Sequence, residues 1–416
     1  MIGSPHQREP VAITGVAAVS PLGHTFAEIA ANLLAGRSGV QTIAGTAAGS
    51  PTTFAAAVDE LQRPPAGSCL LGAEAFDRLD RLERINLAPA AAALADAGLV
   101  PATDGPDSGG PRIGLVLGSG AEHLRRWEID FAAGGTAVLA PRPEPSLAGR
   151  MRTWLGITGP AITVAAACGS SGYALAVARA WLRDDLADVV VAGGCDILSP
   201  TSLAAFHNLR ALSRRSDDPA RASRPFDRDR DGFVMGEGGG FLVLERQADA
   251  VARGARLRGE LAGVGMSSDG VHMVTPSADP AEAARAIAAA LADAGVGPGD
   301  VDYVNAHAAG TPVGDVAEAG AIRMAFGPAA DGVPVSSTKS MSGHLVSGAA
   351  AFEAVACLVA LERQIVPPTV NLDEVDPRCP LDHVAHVARP RRVQVAASNS
   401  FGFGGSNICL VIRRAA

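Results

Sequence analysis

The sequence predicts a duplicated α/β architecture with helices packed between mixed sheets, and three observations lead there. Short apolar runs ending in glycine, such as "RIGLVLGSG", have the character of strands buried on both faces. Ala- and Gly-rich segments at helical spacing follow such runs, so strand, small-residue turn and helix alternate along the chain. The same alternation recurs in the second half, which is the mark of a repeated supersecondary unit. The division is expected between residues 1–255 and 256–416.

Taken in order, "PVAITGVAAVSPLG" alternates β-branched and small residues and ends in Pro-Leu-Gly, as a buried strand entering a loop does. "TFAEIAANLLAG" is a helix closed by Gly36. Residues 41 to 75, rich in Ala, Gly, Thr and Pro, read as loop with short elements. "RLDRLERINLAPAAAALADAGL" has helical periodicity and a glycine stop, and "RIGLVLGSG" is the next strand. "AITVAAACGSSGYALAVARAWLRDDLADVVVAGGCD" reads strand, tight turn, long helix, strand: a βαβ unit. In the second half, "VDYVNAHAAGTPVGDVAEAGAI" is strand, turn, helix, and "VPVSSTKSMSGHLVSGAAAFEAVACLVALERQIVPP" is strand, loop, Ala-rich helix. "AASNSFGFGGSNICLVIRR" then places a Gly-rich turn between two strands.

Composition narrows the function. The chain of 416 residues is 48% apolar but only 4% aromatic, so its core is built from Ala, Val, Leu and Gly. A net charge of −8 without any Lys/Arg-rich run excludes a nucleic-acid footprint. The start, "MIGSPHQREPVAITG", has no apolar signal core, and the long apolar runs are broken by Asp or Glu, so a cytoplasmic protein without a membrane segment is expected. Six cysteines without paired spacing read as reduced thiols, and neither Cys-x-x-Cys nor His-Glu-x-x-His is present to suggest a metal site.

Three features carry chemistry. Cys168 sits between an apolar strand and a helix start, where the positive end of the helix is expected to stabilise a thiolate and lower the thiol pKa below its usual ~8.5. His307 in "VNAHAAGTP" and His344 in "SMSGHLVSG" each follow a strand beside small residues; with Cys168 they supply a nucleophile and two imidazoles. Lys339 is the one lysine beside 34 arginines. A compact ammonium in a small polar pocket is a task that arginine does not perform.

Four blocks, "RPFDRDRDGFVMGEGGGFLVLE" (224–245), "NAHAAGTPVGD" (305–315), "SSTKSMSGH" (336–344) and "NSFGFGGSN" (399–407), stand in an order that resembles the elongating β-ketoacyl-acyl carrier protein synthases. These are ketosynthases of type II fatty acid or polyketide synthesis in the thiolase superfamily. The likeness runs from "VAITGVAAVSPLG" to "NSFGFGGSN". It implies a duplicated thiolase-like layered α/β/α/β/α fold with mixed five-stranded sheets, the nucleophile in the first half and both histidines in the second.

The resemblance also implies roles. Cys168 is the acylated nucleophile, His307 and His344 are the catalytic imidazoles, and Lys339 forms an interior ion pair with Glu353. Phe403 is the gating phenylalanine, Phe401 lines the substrate site, Phe206 lines the acyl pocket, Thr311 meets the pantetheine arm and Arg210 contacts the carrier. The reaction it implies transfers an acyl group to Cys168 and then condenses it with a decarboxylating malonyl-carrier, the N–H groups of Cys168 and Phe403 forming the oxyanion hole. No tightly bound cofactor is implied; the phosphopantetheine of an acyl carrier protein is the substrate arm. The expected partners are that carrier and a second subunit, as a homodimer or as a heterodimer with a chain-length-factor-like homologue.

The chain departs from the family pattern in three places. Ala308-Ala309 stand where Gly-Thr is usual, Cys168 is followed by Gly169-Ser170-Ser171-Gly172, and residues 120 to 155 are abbreviated. The first and third motivate an alternative, a non-condensing acyltransferase. A silent chain-length-factor-like subunit is the further alternative, and Cys168 with both histidines argues against it.

Overall fold

The computed structural model describes residues 9–43, 53–101, 110–135 and 145–415; the first eight residues and parts of the 41–75 and 120–155 segments lie outside the described residues. Strand β1 (Val11–Val19) is buried at every position. Helix α1 (Phe26–Leu34) opens on a capping box, Thr25 and Glu28 each accepting the other's backbone N–H. Helix α2 (Arg81–Asp96) opens the same way on Asp80 and Glu83. The first half continues with β2 (Ile113–Gly118), α3 (Ala121–Ala132), α4 (Leu147–Trp154), β3 (Ala161–Val164), α5 (Ser170–Arg183), β4 (Val189–Asp196), α6 (Pro200–Asn208) and β5 (Gly238–Arg246).

The second half comprises β6 (Gly259–Ser268), α7 (Ala281–Ala294), β7 (Tyr303–Asn305), α8 (Gly314–Phe326), β8 (Pro334–Ser336), the one-turn α9 (Lys339–Ser342), α10 (Ala349–Arg363), β9 (Asp382–His383), β10 (Val395–Gly402) and β11 (Ser406–Arg413). Within the 41–75 loop the described residues form a two-residue ladder, Gln41–Thr42 against Phe54–Ala55, and a short helix at Ala73–Asp77.

The strand order shows the duplication. The first half runs β1-β5-β4-β2-β3 and the second β6-β11-β10-β7-β8, which is the same order when each half's strands are counted from its own start. The pairing repeats too: two antiparallel joints and then two parallel ones in each half. The expected five-stranded sheets are therefore present, with two additions. They join edge to edge through β1 and β6 over two residue pairs, and the short β9 adds beyond β8, giving a continuous sheet of 11 strands.

Helices α5 and α10 lie in the middle, each touching strands of both halves, while α2 covers the outer face of the first sheet and α7 with α8 the outer side of the second. Helix α10 is buried at every residue from Ala349 to Leu361, because its sequence is apolar all round apart from Glu353. Fully burying a side chain such as Phe352 or Leu358 contributes about 1.5–3 kcal/mol. The central pair fits closely through small residues. A Cβ on Gly172 would come 3.1 Å from the Ala350 methyl, and the Ala351 N–H donates to Ser171 Oγ at 3.0 Å. Among the described residues, no helix is long and apolar enough to cross a membrane.

The repeat positions the chemistry. Cys168 lies where the third strand of the first half passes into central helix α5; Lys339 and His344 lie where the third strand of the second half passes toward central helix α10. Packing α5 against α10 brings those two junctions together.

Candidate active site

The Cys168 turn is held in a strained shape. Ala167 has φ +47°, a left-handed conformation that costs an L-residue energy. Ser170 holds it there: its hydroxyl donates to Ala167 O at 2.7 Å and accepts from Ala166 N at 2.9 Å. Gly402, at the end of β10, allows the opposing hairpin to approach, since a Cβ there would lie 3.2 Å from both Ala166 O and Cys168 N. The approach sets the Phe403 N–H against the Cys168 sulfur.

The expectation of a depressed thiol pKa at Cys168 is corrected here. Burial pushes the thiol up to about 11, while the Lys339 ammonium and the Phe403 N–H pull the other way without prevailing. Cys168 precedes the first residue of α5 by two positions, so the helix start is where it was expected; the depth, with 6% of the residue exposed, is what sequence does not show.

The two imidazoles meet edge to face, with ring centroids 5.3 Å apart at 81°. His344 Nδ1 accepts from Val346 N at 3.3 Å, which leaves the ring proton on Nε2. His307 Nδ1 is buried without a partner, and its backbone is gripped instead: the N–H groups of His307 and Ala308 donate to the two oxygens of Glu318 at 2.8 and 2.6 Å. Burial first and the Lys339 charge second hold both histidines well below the ordinary imidazole pKa, so both are neutral at pH 7.

Lys339 begins α9 and is 1% exposed; its ammonium pairs with Glu353 of α10, whose other oxygen accepts from Ser400 Oγ at 3.3 Å. Burial raises the Glu353 pKa and Lys339 opposes the rise. Lys339 stands close enough to bias Cys168 and both histidines, and Glu353 opposes it at Cys168.

One cavity, of about 110 Å³, is lined by Cys168, His307, His344, Phe206, Phe401, Phe403 and Thr311. Phe206, from α6, lies edge-on to Phe403 (5.8 Å) and Phe233 (5.2 Å), and Phe233 in turn meets His344 at 5.3 Å. Phe401 stands 6.0 Å from His307. Arg210 is set apart from the chemistry. It is exposed just past the end of α6, at φ +54°, beside Ala211 on the cavity wall. Ala309 lines the cavity and packs with Leu203, Leu212, Phe233 and Met235.

Sequence reasoning passed over the groups that hold the Thr311 loop and the His307 backbone. Asp315 accepts from Gly310 N and Thr311 N, both at 3.1 Å, and from Phe226 N at 2.8 Å; burial raises its pKa to about 6. Arg230, itself buried, donates to Thr311 O at 3.0 Å. Glu318, raised by burial to about 7, completes the set, with Asn399 Nδ2 as a further donor at 3.0 Å. Arg230 and Asp315 stood inside the quoted blocks, which was their signal, whereas Glu318 lies three residues beyond one. Among the described residues no group of three or more His, Cys, Asp or Glu side chains is arranged to hold a metal ion.

A buried thiol, two neutral imidazole donors and a backbone N–H converging on one mostly apolar cavity can accept an acyl group and stabilise negative charge on a thioester oxygen. Comparison with known proteins agrees. Residues 8–250 match "Beta-ketoacyl synthase, N-terminal domain" and residues 258–373 match "Beta-ketoacyl synthase, C-terminal domain". The chain is 38% identical over 415 residues to a 3-oxoacyl-[acyl-carrier-protein] synthase 2 of Synechocystis sp., covering 98% of this chain and 99% of the relative. It is 37% identical over 420 residues to the tetracenomycin polyketide synthase ketoacyl synthase alpha subunit of Streptomyces glaucescens, covering 98% of each. Among solved structures, a beta-ketoacyl synthase from Burkholderia phymatum superposes with TM-score 0.85 at 32% identity, over 98% of this chain and 100% of that one. A type II polyketide synthase acyl-carrier protein complex with its ketosynthase superposes with TM-score 0.84 at 30% identity, over 98% and 100%. With the repeated fold and the Cys-His-His cavity in agreement, the chain belongs to the β-ketoacyl synthase family.

Proposed function

We propose that the protein is an elongating ketosynthase, an acyltransferase that condenses an acyl group held on Cys168 with a malonyl group delivered on a carrier protein, in fatty acid or polyketide synthesis. The observation that carries this reading is the convergence of Cys168, His307 and His344 in one apolar cavity beside the buried Lys339–Glu353 pair. In the first stage the Cys168 sulfur bonds to the acyl carbon, the bond from that carbon to the pantetheine sulfur breaks, and the thiol proton ends on the departing sulfur. The oxyanion is held by the N–H groups of Cys168 and Phe403, each such donor contributing about 3–4 kcal/mol to the transition state. In the second stage the malonyl group loses carbon dioxide, and its thioester oxygen takes up charge between His307 and the Nε2–H of His344. The enolate carbon then attacks the acyl-enzyme, and the Cys168 thiolate leaves and takes up one proton. Neutral imidazoles suit this step, because each can donate a hydrogen bond without already carrying a charge.

The two halves, 1–255 with the nucleophile and 256–416 with both histidines, are read as the duplicated units, a division supported by the repeated strand order. Phe206, Phe401 and Phe403 form the acyl side of the site, Thr311 meets the pantetheine arm, and Arg210 receives an acidic carrier; the exposure of Arg210 near the cavity supports the last assignment. The solved complex of a carrier with its ketosynthase supports a phosphopantetheine arm as the substrate carrier.

A second chain of this fold, identical or homologous, is expected against β3. That edge strand exposes Ile162 beside the nucleophile turn, and α3 adds Trp127 and Phe131, 51% and 84% exposed. Among the described residues β3 ends the sheet, and a strand edge and exposed apolar side chains each favour pairing with another chain. A solved ketosynthase/chain length factor that superposes with TM-score 0.84 supports such an assembly.

Incubation with acyl-carrier and malonyl-carrier tests the function. Carbon dioxide release with a product two carbons longer is expected. Transfer of an unchanged acyl group would mean the non-condensing reading that Ala309 motivates.

A further inference from the structure

We propose that Asp196 is a positioning residue for His344, acting across the two halves through Ser347 and the strained Val346. The inference rests on the reading of His344 as a hydrogen-bond donor to the malonyl thioester. Asp196 ends β4 in the first half and is 5% exposed. One of its oxygens accepts from both the Ser347 N–H (3.2 Å) and the Ser347 hydroxyl (2.7 Å), and the other accepts from Ile197 N at 2.9 Å. No step of the proposed reaction uses this carboxylate directly.

What it grips gives it a purpose. Val346 precedes Ser347 and has φ +47°, a conformation that a β-branched residue avoids unless its surroundings enforce it. In that conformation the Val346 N–H reaches His344 Nδ1. This one contact decides which ring nitrogen carries the proton: Nδ1 accepts, so Nε2 bears hydrogen. Without the hold on Ser347, Val346 is free to relax to negative φ, the N–H leaves Nδ1, and the ring is free to rotate or change tautomer. Asp196 thereby keeps a His344 proton pointed into the cavity from a strand of the opposite half, 151 positions from Ser347 in sequence.

The test joins a ligand-free measurement to the kinetics. In ¹⁵N-histidine-labelled protein the wild-type His344 should show an acceptor-type Nδ1 and a protonated Nε2. Asp196→Asn, which is isosteric but leaves either Ile197 N or Ser347 facing an NH₂ group, should mix the tautomers. It should slow decarboxylation of malonyl-carrier about tenfold or more, the size of loss seen when partners that orient metal-bound histidines are removed. Acylation of Cys168 should not fall, since the Asp196 charge also helps hold the thiol pKa up and its removal eases thiolate formation. Ser347→Ala should show the same pattern more weakly and decides the matter if Asp196→Asn does not fold. Adding Val346→Gly to either variant should restore most of the decarboxylation, because glycine adopts positive φ without strain. The proposal is overturned if the tautomer and decarboxylation survive both substitutions, or if both half-reactions fall together and glycine restores neither. Should the wild type itself fail to decarboxylate malonyl-carrier, the reading of His344 fails, while the ¹⁵N spectra still decide whether Asp196 orders its ring.

Discussion

Replacing Lys339 with methionine keeps most of its bulk and removes its charge, and the consequences follow from its burial. Lys339 and Glu353 are each 1% exposed, and once the ammonium is gone Glu353 keeps only the Ser400 hydroxyl at 3.3 Å. Breaking a buried pair from one side costs about 3–5 kcal/mol. The cost should depend on pH with a definite sign. Burial already raises the Glu353 pKa, and removing Lys339 removes the chief opposing influence, so in the variant the folded-state pKa lies above the unfolded ~4.3. A carboxyl raised on folding binds its proton more tightly in the native state. The stability of the variant should therefore fall as pH rises above ~4.3, by up to about 1.4 kcal/mol per unit, until the raised folded pKa is passed. Urea unfolding from pH 5 to 8 at fixed protein concentration measures both quantities. The double variant Lys339→Met/Glu353→Met should regain most of the stability, since exchanging a buried pair for apolar groups is often neutral, yet remain inactive. A single variant within ~0.5 kcal/mol of wild type, with no added pH slope, would mean that Lys339 does not hold Glu353 in its buried charged state.

Lys339→Arg should keep the charge and still fail, because the larger planar guanidinium must enter a site where Lys339 is already only 1% exposed, at about 1–3 kcal/mol and with strong loss of decarboxylation; wild-type rates in both half-reactions would count against it. With its thiol near 11, Cys168 should alkylate slowly at pH 7 in the resting protein and react faster with each pH unit through 10, as read by peptide mapping; a plateau below pH 8 would mean a thiolate stabilised at rest. Arg210→Glu should raise KM for a carrier-bound substrate and leave a small-molecule thioester nearly unaffected, whereas equal losses would make it a residue of the fold.

The parts of this protein legible in sequence are those encoded locally. Strand, small-residue turn and Ala-rich helix recur with enough regularity that both sheets and both central helices are readable, and the junctions carrying Cys168, Lys339 and His344 are visible as breaks in that pattern. The union of the two sheets at β1 and β6 rests on two residue pairs between segments some 250 positions apart, which no local pattern announces. The thiol shift has the same origin. Helix-start placement is local and predicts a lower pKa, but burial is set by the opposing hairpin and outweighs it. Glu318, Asp315 and Asp196 escape sequence reading because they act on backbone N–H groups, and any carboxylate reaching the same loop would look equally ordinary in a sequence.

One cavity is proposed to divide its labour, Cys168 accepting the acyl group and the histidines driving decarboxylation. Carbon dioxide release from malonyl-carrier, followed beside the intact mass of the protein for Cys168→Ala and His307→Ala, tests it most directly. Cys168→Ala should still release carbon dioxide while forming neither acyl-enzyme nor extended product, and His307→Ala should become acylated at Cys168 but release almost none. Loss of carbon dioxide release in Cys168→Ala, or an equal block of acylation in His307→Ala, would contradict it.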